Sequence, residues 1–357
     1  MNILIVKLSA IGDVLHTLPA ANSLRAHFPD ARLTWLVEEA AAPLVVGHAA
    51  LDRVLVSRRK TWISQIRTGS PGPALRAARD FIRQLRDTRY DIILDFQGLL
   101  KSGLLLGLAR GDRKIGFGKG MQHQEHSYLF LNERLPAISM EIHALDRNLR
   151  MLEPLGIQTS DITYHLPVSD QDRDAMRKRV QTGADDPAGR IAAINPMAKW
   201  NTKLWNTEKF ARLADMMVKR GYRIFLTGDR NDRAENDRIC AAMTHPAVNL
   251  AGRTSLLELA ALYELADLVI STDTGPMHLA AAVGTPVVAL FGPTAPWRTG
   301  PYGDNNRVVR LALECSPCYQ RTCDSRRCMR EINVDAVLAA VDELVGQTPG
   351  IYNSSAG

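Results

Sequence analysis

The chain has 357 residues, 46% hydrophobic and 23% charged, which is ordinary for a soluble globular protein and long enough for two domains. No run of about eighteen apolar residues occurs, which excludes a membrane-spanning helix. The start lacks the basic and apolar regions of a signal peptide, so the expected place is the cytoplasm. The formal net charge of +6 is unevenly spread: ten Lys or Arg face two Asp between Arg53 and Arg89, a local +8. Such a patch calls for an acidic partner, whether nucleic acid, a phosphorylated substrate or an anionic membrane.

In chain order, "MNILIV" is short, apolar and β-branched, hence a buried strand. A small-residue turn, Ser9 to Gly12, leads into a helical stretch to about His27, with Pro19 kinking it or opening its second part. The spaced glycines of a dinucleotide fingerprint are missing here. Gly12 permits close approach of a ligand or backbone, and Asp13 falls in the first helical turn. That carboxylate either complements the helix dipole or is a base at the carboxyl end of a sheet. "RLTWLV" and "RVLVS" are further strands, and "TWISQIRTGSPGP" is expected as a loop. In "ALRAARDFIRQLRD", Leu75, Ala78, Ile82 and Leu85 form an apolar stripe bordered by Arg76, Arg79, Arg83 and Arg86. "YDIILDF" and "KIGF" are strands, so strand and helix alternate as in a parallel sheet covered on both faces.

Signals are looser from about 120 to 190. "HALDRNLRMLEPLG" is a helix ended by Gly156, "DQDRDAMRKRV" a charged helix and "QTGADDPAGR" a linker or exposed loop. The alternation restarts at "RIAAINP", giving expected domains at 1–180 and 190–334 and a C-terminal helix at 335–347. "TEKFARLADMMVKRG" is a helix with Thr207 as N-cap and Gly221 as stop. "YRIFLTG", "DLVIST" and "PVVALFGP" are strands, "SLLELAALYELA" and "PMHLAAAVG" helices, the latter with Pro276 at its first position.

The chemistry concentrates in loops that follow strands. Thr272-Asp273-Thr274-Gly275 turns into a helix whose free N–H groups make a phosphate cradle, with His278 as a further donor; an ordinary N-cap is the plainer account. In "MAKWNTKLW", Lys199 and Lys203 flank Trp200, and a lysine there supplies a point charge for a leaving diphosphate. Asp232 or Glu235 is placed for ribose hydroxyls or for a solvated helix start. Gln97 and Lys101 sit at a strand-to-helix junction. His16, His123, His126 and His143 are expected to be loop or packing residues. Cys315, Cys318, Cys323 and Cys328, spaced C-x2-C-x4-C-x4-C, are either a small zinc site or a reduced loop.

Together, "KLSAIGDVLHTLPA", "LDFQGLLKSG", "NTKLW" and "STDTGPMHLAAAVGTPVVALFGPT" resemble the ADP-heptose:lipopolysaccharide heptosyltransferases of glycosyltransferase family 9. The N-terminal half, including "VEEA" and "SRRKTW", is most like its heptosyltransferase I branch, whereas the "NTKLW" region and "CSPCYQRTCDSRRCMREI" are more like other branches, including heptosyltransferase II-like members. The resemblance implies a GT-B fold, two Rossmann-like domains facing across a cleft, and an inverting, metal-independent transfer of heptose from ADP-heptose to a Kdo sugar of Kdo2-lipid A. It implies Asp13 as general base and Lys203 at the departing diphosphate. It places Thr202, Glu235, Asp273, Thr274, Gly275 and His278 around the donor, and Gly12, Arg58, Arg59, Lys60, Gln97 and Lys101 around the acceptor. No cofactor is implied. The arginine stripe rests on the anionic inner leaflet or is a solvated face. The alternatives are a heptosylated core acceptor, another nucleotide sugar, or a nucleotide-sugar epimerase. Nucleic acid is not expected, because only Trp62, Phe81 and Tyr90 interleave the basic segment.

Overall fold

The computed structural model describes residues 1–121, 125–181 and 189–347. The chain divides into two compact units, Met1–Pro167 and Val168–Gly357. The division falls ahead of residue 180, because the charged helix that follows it packs within the second unit. The expected linker "QTGADDPAGR" lies largely outside the described residues, as does His123.

The first unit holds a six-stranded sheet of β1 (Asn2–Val6), β2 (Arg32–Glu38), β3 (Arg53–Ser57), β4 (Arg89–Asp95), β5 (Arg110–Phe117) and β6 (Glu133–Leu135), in the order β3-β2-β1-β4-β5-β6. Every pairing is parallel; in the centre Ile3 stands beside Leu33 on one side and Ile92 on the other. Ile3 to Val6 have no exposed surface, because both faces of a parallel sheet are covered, which is why the strand is a continuous apolar run. The helices are α1 (Ile11–Leu15), α2 (Leu18–His27), α3 (Arg59–Arg67), α4 (Pro71–Arg86), α5 (Leu100–Leu108) and α6 (Ala144–Arg150). The helical stretch after β1 breaks at His16 and Thr17, and Pro19 sits in the first turn of α2, where its missing N–H costs nothing.

Two expectations are corrected here. Residues 59–67 are a helix, not a loop: Trp62 lies one turn before Ile66, and its ring packs 5.5 Å from that of Phe81 on α4. The buried face of α4 is Ala74, Phe81 and Leu85, while Leu75 is 62% exposed among the arginines. Phe81 and Tyr90 are buried core residues, so neither is a base-stacking platform.

The second unit holds β7 (Arg190–Asn195), β8 (Tyr222–Leu226), β9 (Val248–Asn249), β10 (Leu268–Thr272), β11 (Val287–Leu290) and β12 (Asn306–Val309), again all parallel, in the order β12-β11-β10-β7-β8-β9. Its helices are α7 (Asp170–Gln181), α8 (Thr207–Val218), α9 (Arg233–Ala242), α10 (Leu256–Leu265), α11 (Gly275–Ala282), α12 (Pro296–Thr299), α13 (Arg327–Arg330) and α14 (Val334–Gln347). Helix α7 packs on α10, and α14 packs on α8 and β12. Val337, Leu338, Val341 and Leu344 of α14 enter the same core as Phe210 and Met217 of α8. The N-cap of α8 is Asn206 rather than Thr207: the Asn206 side chain accepts the N–H groups of Glu208 and Lys209. Gly221 does end that segment, with φ of 82° in the left-handed region. The short strands β6, β9 and β12 carry too few apolar residues to stand out in the sequence.

Candidate active site

In the first unit the strand order reverses between β1 and β4. The loops that leave their carboxyl ends diverge there, which is where open α/β sheets bind ligands. The loop after β1 carries Asp13 on the first turn of α1, next to buried Gly12. The Ala10 N–H donates to the Asp13 carboxylate at 3.0 Å, so this group does complement the helix start. The loop after β4 carries Gln97, whose Oε1 accepts the N–H groups of Leu8 at 2.9 Å and Ser9 at 3.0 Å. Gln97 thus braces the loop that presents Asp13. Asp95 anchors the same turn by accepting from the N–H of Gln97 and Gly98 and from Ser102 Oγ; burial pushes its carboxyl up from the usual range. Lys7 is buried beside it, its ammonium donating to the Phe96 carbonyl at 2.9 Å, and burial pushes its pKa down.

A second feature of this edge, absent from the sequence expectations, is Glu38 at the end of β2. It is 6% exposed and gathers three cations: Lys101 at 2.9 Å, Arg59 at 3.7 Å and Lys60 at 4.0 Å. Lys101 Nζ also donates to Ser9 Oγ at 2.7 Å, and Arg58 lies 3.7 Å from Glu39. Arg58, Arg59, Lys60 and Lys101 therefore outnumber the two glutamates, and the first three are exposed, leaving positive charge for an anionic ligand. A charged residue closing an apolar strand is the signal that marks Glu38 in the sequence.

In the second unit the order reverses between β7 and β10. The loop after β7 holds Lys203 in a single turn of 3-10 helix, Asn201–Lys203, and the loop after β10 holds Asp273. Lys203 Nζ is 2.6 Å from Asp273 Oδ2, and Thr294, from the loop after β11, donates to the same oxygen at 2.5 Å. Lys203 also lies 4.6 Å from the centre of the Trp200 ring. Thr274 caps α11 in extended geometry without a side-chain bond, and Thr274 and Gly275 are half-buried at a helix N-terminus suited to phosphate. His278 is buried one turn further on.

Two residues expected around the donor have partners within the protein. Thr202 is 2% exposed and donates to the Gln320 carbonyl at 2.8 Å, so it fastens its loop. Glu235 accepts from Thr207 and pairs with Arg238 at 2.8 Å. Among the described residues no group of three or more His, Cys, Asp or Glu stands ready to hold a metal ion, and Cys315, Cys318, Cys323 and Cys328 are free thiols. Cys328 is turned into the core beside Met329, where burial raises its thiol, whereas Cys315 and Cys323 face solvent.

Two doubly wound parallel sheets in series, each with charged groups gathered at its switch point, define the GT-B class of glycosyltransferase. The sequence profile of glycosyltransferase family 9 (heptosyltransferase) matches residues 78–328. Lipopolysaccharide heptosyltransferase 1 of Pseudomonas aeruginosa is 30% identical over 326 residues, 90% of this chain and 87% of that one. Lipopolysaccharide heptosyltransferase 3 of Escherichia coli is 30% identical over 343 residues, 94% and 95% of the two chains. The solved structure of the E. coli heptosyltransferase WaaC with ADP-2-deoxy-2-fluoro heptose superposes with a TM-score of 0.74 at 28% identity, covering 96% of this chain and 99% of that one. The chain belongs to glycosyltransferase family 9, the heptosyltransferases.

Proposed function

We propose that the protein transfers L-glycero-D-manno-heptose from ADP-heptose to a Kdo sugar of Kdo2-lipid A, with inversion at the anomeric carbon, in assembly of the lipopolysaccharide inner core. The observation that carries this reading is the Lys203–Asp273 pair at the switch point of the second unit, in a chain similar to an enzyme solved with an ADP-heptose analogue. The second unit takes the donor: the N–H groups at the start of α11 and the Lys203 ammonium donate hydrogen bonds to the diphosphate, and no metal is needed at the leaving group. The first unit takes the acceptor. Asp13 removes the proton from the attacking hydroxyl, the hydroxyl oxygen bonds to the anomeric carbon, and the bond to the diphosphate breaks with its electron pair on ADP. Arg58, Arg59 and Lys60 recognise carboxylate or phosphate of the acceptor by charge-assisted contacts. Because this chemistry uses a lipid acceptor, the protein works at the cytoplasmic face of the inner membrane. Among the described residues no helix is long and apolar enough to cross it, and the exposed arginine face of α4 supports peripheral contact.

The 30% identity to a heptosyltransferase 3 keeps one further reading, a heptosylated core as acceptor. Competition decides between them. With ADP-heptose and equal amounts of Kdo2-lipid A and a heptosylated core, mass analysis is expected to find the first acceptor converted; conversion of the second alone overturns the first-heptose assignment.

A further inference from the structure

The cysteine segment is fastened to two of the loops that meet at the Lys203–Asp273 pair, those after β7 and β11. On one side Thr202 donates to the Gln320 carbonyl at 2.8 Å, and Arg326 donates to the Asn201 carbonyl at 3.2 Å, so the Lys203 turn is tied at two points. On the other side the Cys318 and Tyr319 N–H groups donate to the Pro293 carbonyl at 3.0 and 2.8 Å, and Ser316 Oγ donates to the Gly292 carbonyl. Buried Arg298 donates to the Tyr319 hydroxyl at 2.8 Å and fixes its ring. Arg321 directly follows Gln320, within the first of these sets of ties. Its guanidinium lies 5.0 Å from the centre of the Trp200 ring, the ring that Lys203 approaches at 4.6 Å. Arg321 is exposed and makes no ion pair among the described residues.

Charge balance gives this placement a meaning. Lys203 is already compensated by Asp273 at 2.6 Å, so the pair brings no net charge to a diphosphate. A leaving diphosphate gains negative charge as its bond to the sugar breaks, and an uncompensated cation is what lowers that cost. Arginine suits the task, since its planar fork matches phosphate oxygens while its face stays on an aromatic ring.

We propose that Arg321 is a second diphosphate-binding cation of the donor site, and that the segment from Ser316 to Arg326 is the clamp that delivers it. This rests on the reading of the second unit as the nucleotide-sugar half. The test is titration calorimetry of the full-length chain with ADP and with UDP, on wild type, Arg321→Ala and Arg321→Lys, with donor and acceptor KM for each. Arg321→Ala is expected to weaken ADP about tenfold or more. It should raise the donor KM without changing the acceptor KM or the melting temperature of the free protein, and Arg321→Lys should recover part of the loss. Wild-type ADP affinity in Arg321→Ala, or a loss of thermal stability equal in both variants with no separate effect on ADP, overturns the role of Arg321 while leaving the donor reading intact. A wild-type chain that binds neither nucleotide overturns the donor reading and the Arg321 assignment with it.

Discussion

At Asp13 the carboxylate already accepts the Ala10 N–H, so its orientation is fixed before any acceptor arrives. In the proposed role the other oxygen takes the proton of the acceptor hydroxyl. Strand, small turn and helix start are all local signals, which is why the place of Asp13 in the first turn of α1 was legible in the sequence. The brace on it was not: Gln97 and Leu8 are 89 positions apart, and only the β1–β4 pairing brings them together. Gln97, expected near the acceptor, accepts from two backbone N–H groups of the loop that carries Asp13. Gln97→Ala is therefore expected to lower kcat about tenfold with little change in acceptor KM, as steady-state kinetics will read. Lys203 and Asp273 are a largely buried pair, and removing one partner strands the other charge. Lys203→Met should cost about 3 kcal/mol in urea unfolding, and Lys203→Met with Asp273→Asn should recover most of that stability but none of the activity.

At the scale of elements, the basic segment resolves into two helices that pack on each other, α3 and α4. The sequence placed the arginine stripe correctly on α4 and misplaced its border. Leu75 is one helical step from the buried Ala74, and so fits an apolar stripe by spacing while facing solvent. The Thr-Gly-Ser-Pro-Gly-Pro run likewise hid α3, because its turn residues begin only where the helix ends. Arg76, Arg79 and Arg86 share the exposed side with Leu75, and Ile63 and Ile66 of α3 are exposed as well. Each basic residue near an anionic surface contributes about 1 kcal/mol. Reversing Arg76, Arg79 and Arg86 to Glu is expected to abolish co-sedimentation with phosphatidylglycerol vesicles while leaving ADP affinity unchanged. Equal sedimentation of the variant and wild type would make this face a solvated one.

For the whole molecule, the alternation of strand and helix gave the two parallel sheets, because strands buried on both faces are continuous apolar runs that the eye finds easily. The strand order, and hence the switch points, was not legible: it depends on which edge each crossover takes, and no local residue records that. Each unit has its own sheet and core, and the cluster of Lys203, Asp273 and Thr294 proposed to face the donor lies wholly in the second. Residues 168–357 expressed alone are expected to bind ADP within about tenfold of the full chain, by calorimetry, and to transfer nothing.

The measurement that bears most directly on the account is product mass from Kdo2-lipid A and ADP-heptose, run side by side on wild type and Asp13→Asn, with ADP affinity measured on both. One added heptose with wild type, no product with Asp13→Asn, and equal ADP affinity are expected. Transfer by Asp13→Asn at the wild-type rate, or a wild type that binds ADP-heptose yet adds heptose to no Kdo-containing acceptor, would contradict the account.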